Sequence, residues 1–281
     1  MSVTLPFAPV ADHAARLRIG LTYLWRHGRL PNLADPTLFT ELVQVRKLRD
    51  RDPRMALMSD KVAVKAIVGS RLGREWVVPM LWSGVALPPR SVGNGRLVVK
   101  ARHGCNQNAF VGIDPGDWAA ARTRSAKWMR GRYGWWLDEW LYGHIPRGLL
   151  VEPFIGRGAA LPLDYKVFVF GGVATHVQVH LDRATRHRWI VHDRNWRAIA
   201  DDAPSVSRPT ALSAMIAAAE ELGRDFDFAR VDFYQPGDQP LFGEICFYPG
   251  SGLDPFDPPH LDGDMGRLWL AAQPPRHADA A

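Results

Sequence analysis

Charged residues interrupt otherwise apolar, strand-like segments at a few positions, and their types point to phosphate and metal chemistry. Arg230–Val231–Asp232–Phe233–Tyr234 and Phe242–Gly243–Glu244–Ile245–Cys246 read as two strands joined by a turn over Gln235–Pro236–Gly237–Asp238. A half-buried strand has no use for unpaired charge, which is expensive to desolvate. Two carboxylates on paired strands can share one hard divalent cation, because Mg²⁺ and Mn²⁺ prefer oxygen ligands, and a neighbouring Arg can hold the phosphate that the metal bridges. A salt bridge between Arg230 and these acids across a hairpin rim accounts for the same residues.

Further charges occupy similar places. Lys100 closes the apolar run Arg96–Ala101 just before a polar loop, Arg102–Asn108. Glu152 lies within Leu149–Ile155, Asp164 and Lys166 open a strand that runs to Phe170, and Arg183 follows Asp182 at the end of the return strand. Any one of them is what the solvated side of an edge strand carries. Their order is more informative: lysine, acid, lysine, arginine, then two acids. Cations can cradle a triphosphate while the last two acids hold the metal that neutralises it, which is the minimal equipment for phosphoryl transfer.

Elements that could position these groups follow from periodicity. Helices are expected over Ala11–His27, with Leu17, Leu21 and Leu24 on one side, over Thr37–Arg51, and from a Ser59–Asp60 cap to about Gly73. Strands follow at Trp76–Pro79, Arg96–Ala101 and Ala109–Val111, and helices over Asp117–Tyr142, whose tryptophans suit packing between lobes. Strands resume at Gly148–Ile155, Asp164–Phe170, Val173–Leu181 and Arg188–Asp193. A helix over Thr210–Leu222 would lay Met215, Ala218, Ala219 and Leu222 on a sheet. The Pro- and Ala-rich tail from Gln273 is expected to be loose.

Composition narrows the partners. The 281 residues are 47% hydrophobic with a net charge of +6, which suits a folded core and an anionic ligand. The charge is spread along the chain with no polybasic block, so nucleic acid is not the expected partner. Cys105 and Cys246 stand far apart without a CxxC pair, which fits neither a disulfide framework nor a zinc site and suits a reducing cytoplasm. No run approaches the roughly 18 apolar residues of a spanning helix, so membrane insertion is not expected. The N-terminal stretch lacks the basic start and apolar core of a signal peptide.

The ordered charges resemble the ATP-grasp superfamily, and more closely its TupA-like branch. In the superfamily pattern an Asp–Lys opens a helix, as Asp60–Lys61 does here, and a strand lysine precedes a phosphate loop, as Lys100 precedes His103–Gly104. A Glu–x–Phe–Ile linker matches Glu152–Ile155, and the Arg–x–Asp … Glu … Pro–Gly signature matches Arg230, Asp232, Glu244 and Pro249–Gly250. The branch motifs add Pro31–Asn32–Leu33, Ile145–Pro146–Arg147, Asp164–Tyr165–Lys166, Asp182–Arg183 and Ser251–Gly252, so the likeness spans roughly residues 30 to 270. The chain is similar, more distantly, to the ribosomal-protein glutamate ligases.

The resemblance implies an α+β ATP-grasp fold, with two lobes enclosing ATP. It divides the chain into a helical N-terminal region (1–74), a small lobe with the phosphate loop (75–148), a C-terminal lobe with the metal site (149–272) and a tail (273–281). It places Lys61, Lys100, His103, Gly104, Glu152, Phe154, Ile155, Asp164 and Lys166 at the nucleotide. Asp232 and Glu244 fall on Mg²⁺, with Mn²⁺ as a substitute, and Arg230, Arg183 and Lys166 at the reacting phosphoryl group. The implied activity is carboxylate–amine ligation through an acyl phosphate, in envelope-polymer or in peptide and secondary-metabolite assembly. A kinase using the same ATP site, and a non-catalytic binder of polyanions, are the alternatives. Two departures stand out: Cys246 replaces the superfamily's metal-binding Asn, and the phosphate loop carries a single Gly.

Overall fold

The structure, a computed structural model, describes residues 9–112, 114–156, 161–181 and 188–273. Two antiparallel sheets face each other across a cleft. The smaller has the order β1-β4-β2-β3, from β1 (Trp82–Gly84), β2 (Leu97–Ala101), β3 (Asn108–Val111) and β4 (Leu149–Pro153). Alternation of side chains along a strand divides it cleanly. Leu97, Val99, Ala109, Val111, Leu149 and Val151 point to one side, where Trp118 and Ala121 of the helix Pro115–Arg130 cover them. Val98, Lys100, Phe110 and Glu152 are left on the other side, facing the cleft. The expected lobe boundary between residues 148 and 149 therefore cuts through this sheet: β4 pairs with β1 and β2 and belongs to the small lobe.

The larger sheet has the order β7-β6-β5-β8-β9, built from β5 (Asp164–Phe170), β6 (Val173–Leu181), β7 (Arg188–Asp193), β8 (Phe228–Tyr234) and β9 (Leu241–Cys246). One face carries Val167, Val169, Val177, Val231 and Phe233 in the main core, together with Met215, Ala218, Ala219 and Leu222 of the helix Leu212–Gly223, as the helical spacing predicts. The opposite face changes character along its length. At one end Phe168, Phe170 and Phe228 pack against Phe39 and Trp269, from the helices Phe39–Arg49 and His260–Ala272. At the other end Asp164, Lys166 and Asp232 of the same strands, with Glu244 of β9, face the cleft.

A bulge between β8 and β9 makes this arrangement possible. Asp232 pairs with Glu244 but the next residue, Phe233, pairs with Phe242, so Gly243 is the extra residue. Without the bulge, Phe242 and Glu244 would share a face. With it, Phe242 enters the core beside Phe233 and Glu244 turns to the cleft. A Cβ on Gly243 would lie 3.0 Å from the Asp232 carbonyl and 3.1 Å from the Tyr234 ring. Gly243→Ala is therefore expected to lower stability by about 1–3 kcal/mol and to lower activity further by shifting Glu244; an unchanged denaturant midpoint would contradict the bulge's tightness.

Four expectations are corrected. Trp76–Pro79 is no strand: residues Arg74–Trp76 form a single 3₁₀ turn and Val77 makes one isolated bridge to Phe242, while Pro79 has no N–H for a ladder. The segment 117–142 is not helical throughout, since the helix stops at Arg130 and two 3₁₀ turns, Trp135–Leu137 and Trp140–His144, follow Gly131 and Gly134, the latter at φ 73°. Of its tryptophans Trp118 is buried, but Trp135 and Trp136 are exposed. In the helix Pro9–His27 the side with Leu17, Leu21 and Leu24 faces outward, and Ile19 and Tyr23 are buried instead. Tyr23 anchors it by a 2.8 Å hydrogen bond to Thr40 and by accepting one from Arg29. The short helix Pro53–Ser59, which the sequence reading did not separate, starts at an Asp52 cap with Pro53 in its first turn. No helix among the described residues is long and apolar enough to cross a membrane.

Candidate active site

The cleft between the sheets collects most of the expected residues. Lys61, Lys100, Glu152, Phe154, Ile155, Asp164, Lys166, Asp232 and Glu244 line one cavity, closed on its apolar side by Val78, Val98, Phe110 and Tyr234. Phe110 and Phe154 meet edge to face, their ring centres 5.9 Å apart, forming a flat apolar slot. Beyond Lys166 and Glu244 the cleft continues into a larger cavity of about 740 Å³, where Arg230 is exposed to it.

Each charged group is placed by strand register. On the small sheet Lys100 and Glu152 stand diagonally on the cleft face, and Lys100 Nζ lies 2.6 Å from Glu152. Lys65, one helical turn beyond Lys61 on the helix Ala63–Arg71, reaches the other Glu152 oxygen at 2.6 Å and donates to the Val78 carbonyl. Burial pushes Glu152 up, but Lys100 and then Lys65 outweigh it and hold the carboxyl below its usual range. Lys65 itself is pushed down by burial against the pull of Glu152. Lys65 was missed in the sequence; its spacing of four from Lys61 was the available signal.

On the large sheet Lys166 stands opposite Asp232, and Asp232 opposite Glu244. Arg230 grips Asp232 through two bonds of 2.7 Å, and Lys166 reaches Asp232 at 2.5 Å and Asp164 at 2.7 Å. Arg230 and Lys166 are driven down by burial, yet Asp232 more than compensates and keeps both above their ordinary values. Glu244 is less engaged: Lys61 lies at 3.3 Å and Arg230 at 3.7 Å, and its side chain remains 29% exposed. Burial would raise its pKa, but Lys61 first, with Lys166 and Arg230, holds it down against Asp232. The Arg230–Asp232 salt bridge is therefore made, and Glu244 is the acid left facing the cleft.

Other expected residues stand elsewhere. His103 is buried, does not line the cleft, and accepts the Gly148 N–H at 3.3 Å, which fixes the base of the loop. Gly104 accepts Lys61 Nζ at its carbonyl at 2.8 Å and so helps to position that lysine. From that loop Asn106, at φ 56°, and Asn108 reach the cleft. Asp60 caps the turn that carries Lys61, through the N–H groups of Val62 and Ala63, and binds Arg102 in a bidentate pair at 2.6–2.7 Å. Arg183 lies outside the described residues.

The chemistry of the donor set can be tested against a divalent metal. Asp232 and Glu244 are two carboxylates on facing strands, and no group of three or more His, Cys, Asp or Glu gathers among the described residues. That fits Mg²⁺, which takes one or two carboxylates and completes its shell with water and phosphate. Cys246 adds nothing to it: burial pushes its thiol up to about 11, so it stays protonated, and sulfur suits hard Mg²⁺ poorly. Cys246→Asn would restore an oxygen donor next to Arg230. The expected outcome is activity at lower Mg²⁺ with about 1–3 kcal/mol of lost stability from burying the amide. A lower melting temperature with unchanged Mg²⁺ dependence would show that the position only packs.

Two α+β lobes with a cation-lined cleft and two terminal acids define the ATP-grasp class, and a solved structure agrees at the level of fold. D-alanine–D-alanine ligase from Helicobacter pylori superposes with a TM-score of 0.50 at 14% identity, covering 85% of this chain and 67% of that one. The same enzyme from Bacillus anthracis, complexed with ATP, matches at 12% identity and TM-score 0.43, over 68% of this chain and 54% of its own. An L-amino acid ligase from Bacillus licheniformis gives 16% identity and TM-score 0.48, over 78% and 51%. The chain thus spans little more than half the length of the latter two. Among curated proteins no match is found. The chain belongs to the TupA-like ATP-grasp family, whose model matches residues 41–270.

Proposed function

We propose that this protein is an ATP-dependent ligase that joins a carboxylate to an amine through an acyl phosphate. The observation that carries the reading is the convergence of four cations, Lys61, Lys100, Lys166 and Arg230, on a cleft whose far wall holds Asp232 and Glu244. In this reading the adenine lies in the slot between Phe110, Phe154 and Ile155, and Lys100 and Lys61 hold the phosphates. Asp232 and Glu244 would hold Mg²⁺, which neutralises charge on the phosphate oxygens when bound. Arg230 and Lys166 face the transferred phosphoryl group and stabilise the charge that develops as the substrate carboxylate attacks it. Family membership supports ATP as the nucleotide. We place the enzyme in the cytoplasm, in envelope-polymer or peptide assembly.

The test is phosphate release from ATP with pooled carboxylates and amino acids, with the products identified by mass spectrometry. A new amide together with free phosphate is the expected result. A phosphate ester would make the protein a kinase, and salt-sensitive polyanion binding with no ATP turnover would make it a scaffold.

A further inference from the structure

Among the described residues lining the larger cavity, one charged group belongs neither to the phosphate site nor to an ion pair at the rim. Asp164, Lys166, Arg230 and Glu244 along its floor belong to the network described above, and Arg26 and Asp254 pair with each other at its rim. Glu139 stands apart from both sets. It lies between the turns Trp135–Leu137 and Trp140–His144, and is 6% exposed. Together with Tyr133 it lines both this cavity and a second one of about 350 Å³, bounded by Arg18, Leu48, Arg51 and Trp140. Glu139 therefore stands in a wall shared by the two cavities.

Its neighbours are polar and enclosed. Ser251 lines the same cavity as Glu139, and the Ser251 hydroxyl oxygen accepts Lys47 Nζ at 2.7 Å. Lys47, fully enclosed, also donates to the Ser251 carbonyl at 2.7 Å and to Gln44 at 2.9 Å. Ser251 holds this place at φ 58°, between Gly250 and Gly252 at 53° and 65°. Left-handed backbone is unfavourable for serine and persists where the surroundings impose it, often at functional sites. Enclosing a charge costs desolvation, so stability alone does not explain a Lys and a Glu enclosed at a cavity wall.

We infer that Glu139 binds the ammonium group of the amine substrate and accepts its proton, with Ser251 and Lys47 as positioning residues. The inference rests on the ligase reading. One N–H proton passes to the Glu139 carboxylate, and the freed lone pair forms the C–N bond at the acyl carbon. The C–O bond to phosphate breaks, its electron pair leaving with phosphate, which takes the second N–H proton; Glu139 returns its proton to solvent. Burial pushes Glu139 up against the opposing pull of Lys47, the direction that suits a carboxylate that must accept a proton.

Hydroxylamine separates the two readings, because it is uncharged at neutral pH and needs no base to attack an acyl phosphate. The wild-type enzyme, ATP and pooled carboxylates are supplied with hydroxylamine or with pooled amino acids. Glu139→Gln is expected to form hydroxamate at the wild-type rate while amide formation falls about a hundredfold, and Glu139→Asp to recover part of the amide rate. Equal loss of both products, or loss of neither, would overturn the inference and leave the ligase reading standing. Absence of both products from the wild type would remove the ligase reading and the inference with it. Should Glu139→Gln fail to fold, Ser251→Ala decides: a raised KM for the amine with unchanged hydroxamate formation supports the assignment, and an unchanged KM overturns it.

Discussion

Asp232→Asn is expected to lower the stability of the free protein by about 3–5 kcal/mol, and Glu244→Gln to leave it nearly unchanged, although both abolish turnover. The two acids look equivalent in the sequence, but their surroundings differ. Asp232 is 1% exposed and satisfies two bonds from Arg230 and one from Lys166. Neutralising it leaves two enclosed cations short of an anion, and breaking a buried pair from one side is costly by about that amount. Glu244 has no bond shorter than 3.3 Å to its cationic neighbours and keeps access to solvent, so its pairs are worth only about 0–1 kcal/mol. In the proposed reading its loss takes away one of the two acids that would hold Mg²⁺, and turnover should fall by about 10²–10³ or more. Chemical denaturation of both variants without nucleotide, beside ATP turnover, measures the split. Equal stability for the two, or normal turnover by Glu244→Gln, would refute this division of roles.

Lys100→Ala should weaken ATP binding about ten- to hundredfold, the value of one charge-assisted hydrogen bond of 1.5–3 kcal/mol, with little change in melting temperature. Lys100 keeps 22% of its side chain exposed to the cleft, while its partner Glu152 retains Lys65 at 2.6 Å after the substitution. The folded state is therefore not left with an unpaired carboxylate, and the loss falls on the ligand. Lys65→Ala makes the contrast. Lys65 spends its bonds on Glu152 and the Val78 carbonyl, so its removal should destabilise the fold more and ATP binding less. Calorimetry with Mg²⁺–ATP and thermal melts of both variants check the pair, and equal affinities for wild type and Lys100→Ala would take Lys100 out of the site.

Much of this architecture is written in local pattern. The runs Asp164–Phe170, Val173–Leu181 and Arg188–Asp193 mark strands whose bounds the structure reproduces, because β-branched and aromatic residues fill each run and turn residues bracket it. The same pattern marked Lys100, Glu152, Lys166, Asp232 and Glu244 as charges that need partners, and all five meet in one cleft. The tertiary structure decided which partner each one has. Asp232 belongs to Arg230 and Lys166 because β5 and β8 pair in a register that sets Lys166 opposite Asp232. Glu244 faces the cleft only because the bulge at Gly243 reverses the side on which the strand continues. His103 carried the right type at the right loop position, but the loop closes over Gly148 and buries it. Leu17, Leu21 and Leu24 had core-like spacing, yet the helix docks through Tyr23 and its hydrogen bonds. Strand formation depends on neighbours in sequence and can be read there; the side and partner of a buried charge depend on distant chain segments, as Lys47 and Ser251, 204 residues apart, show, and only packing brings those together.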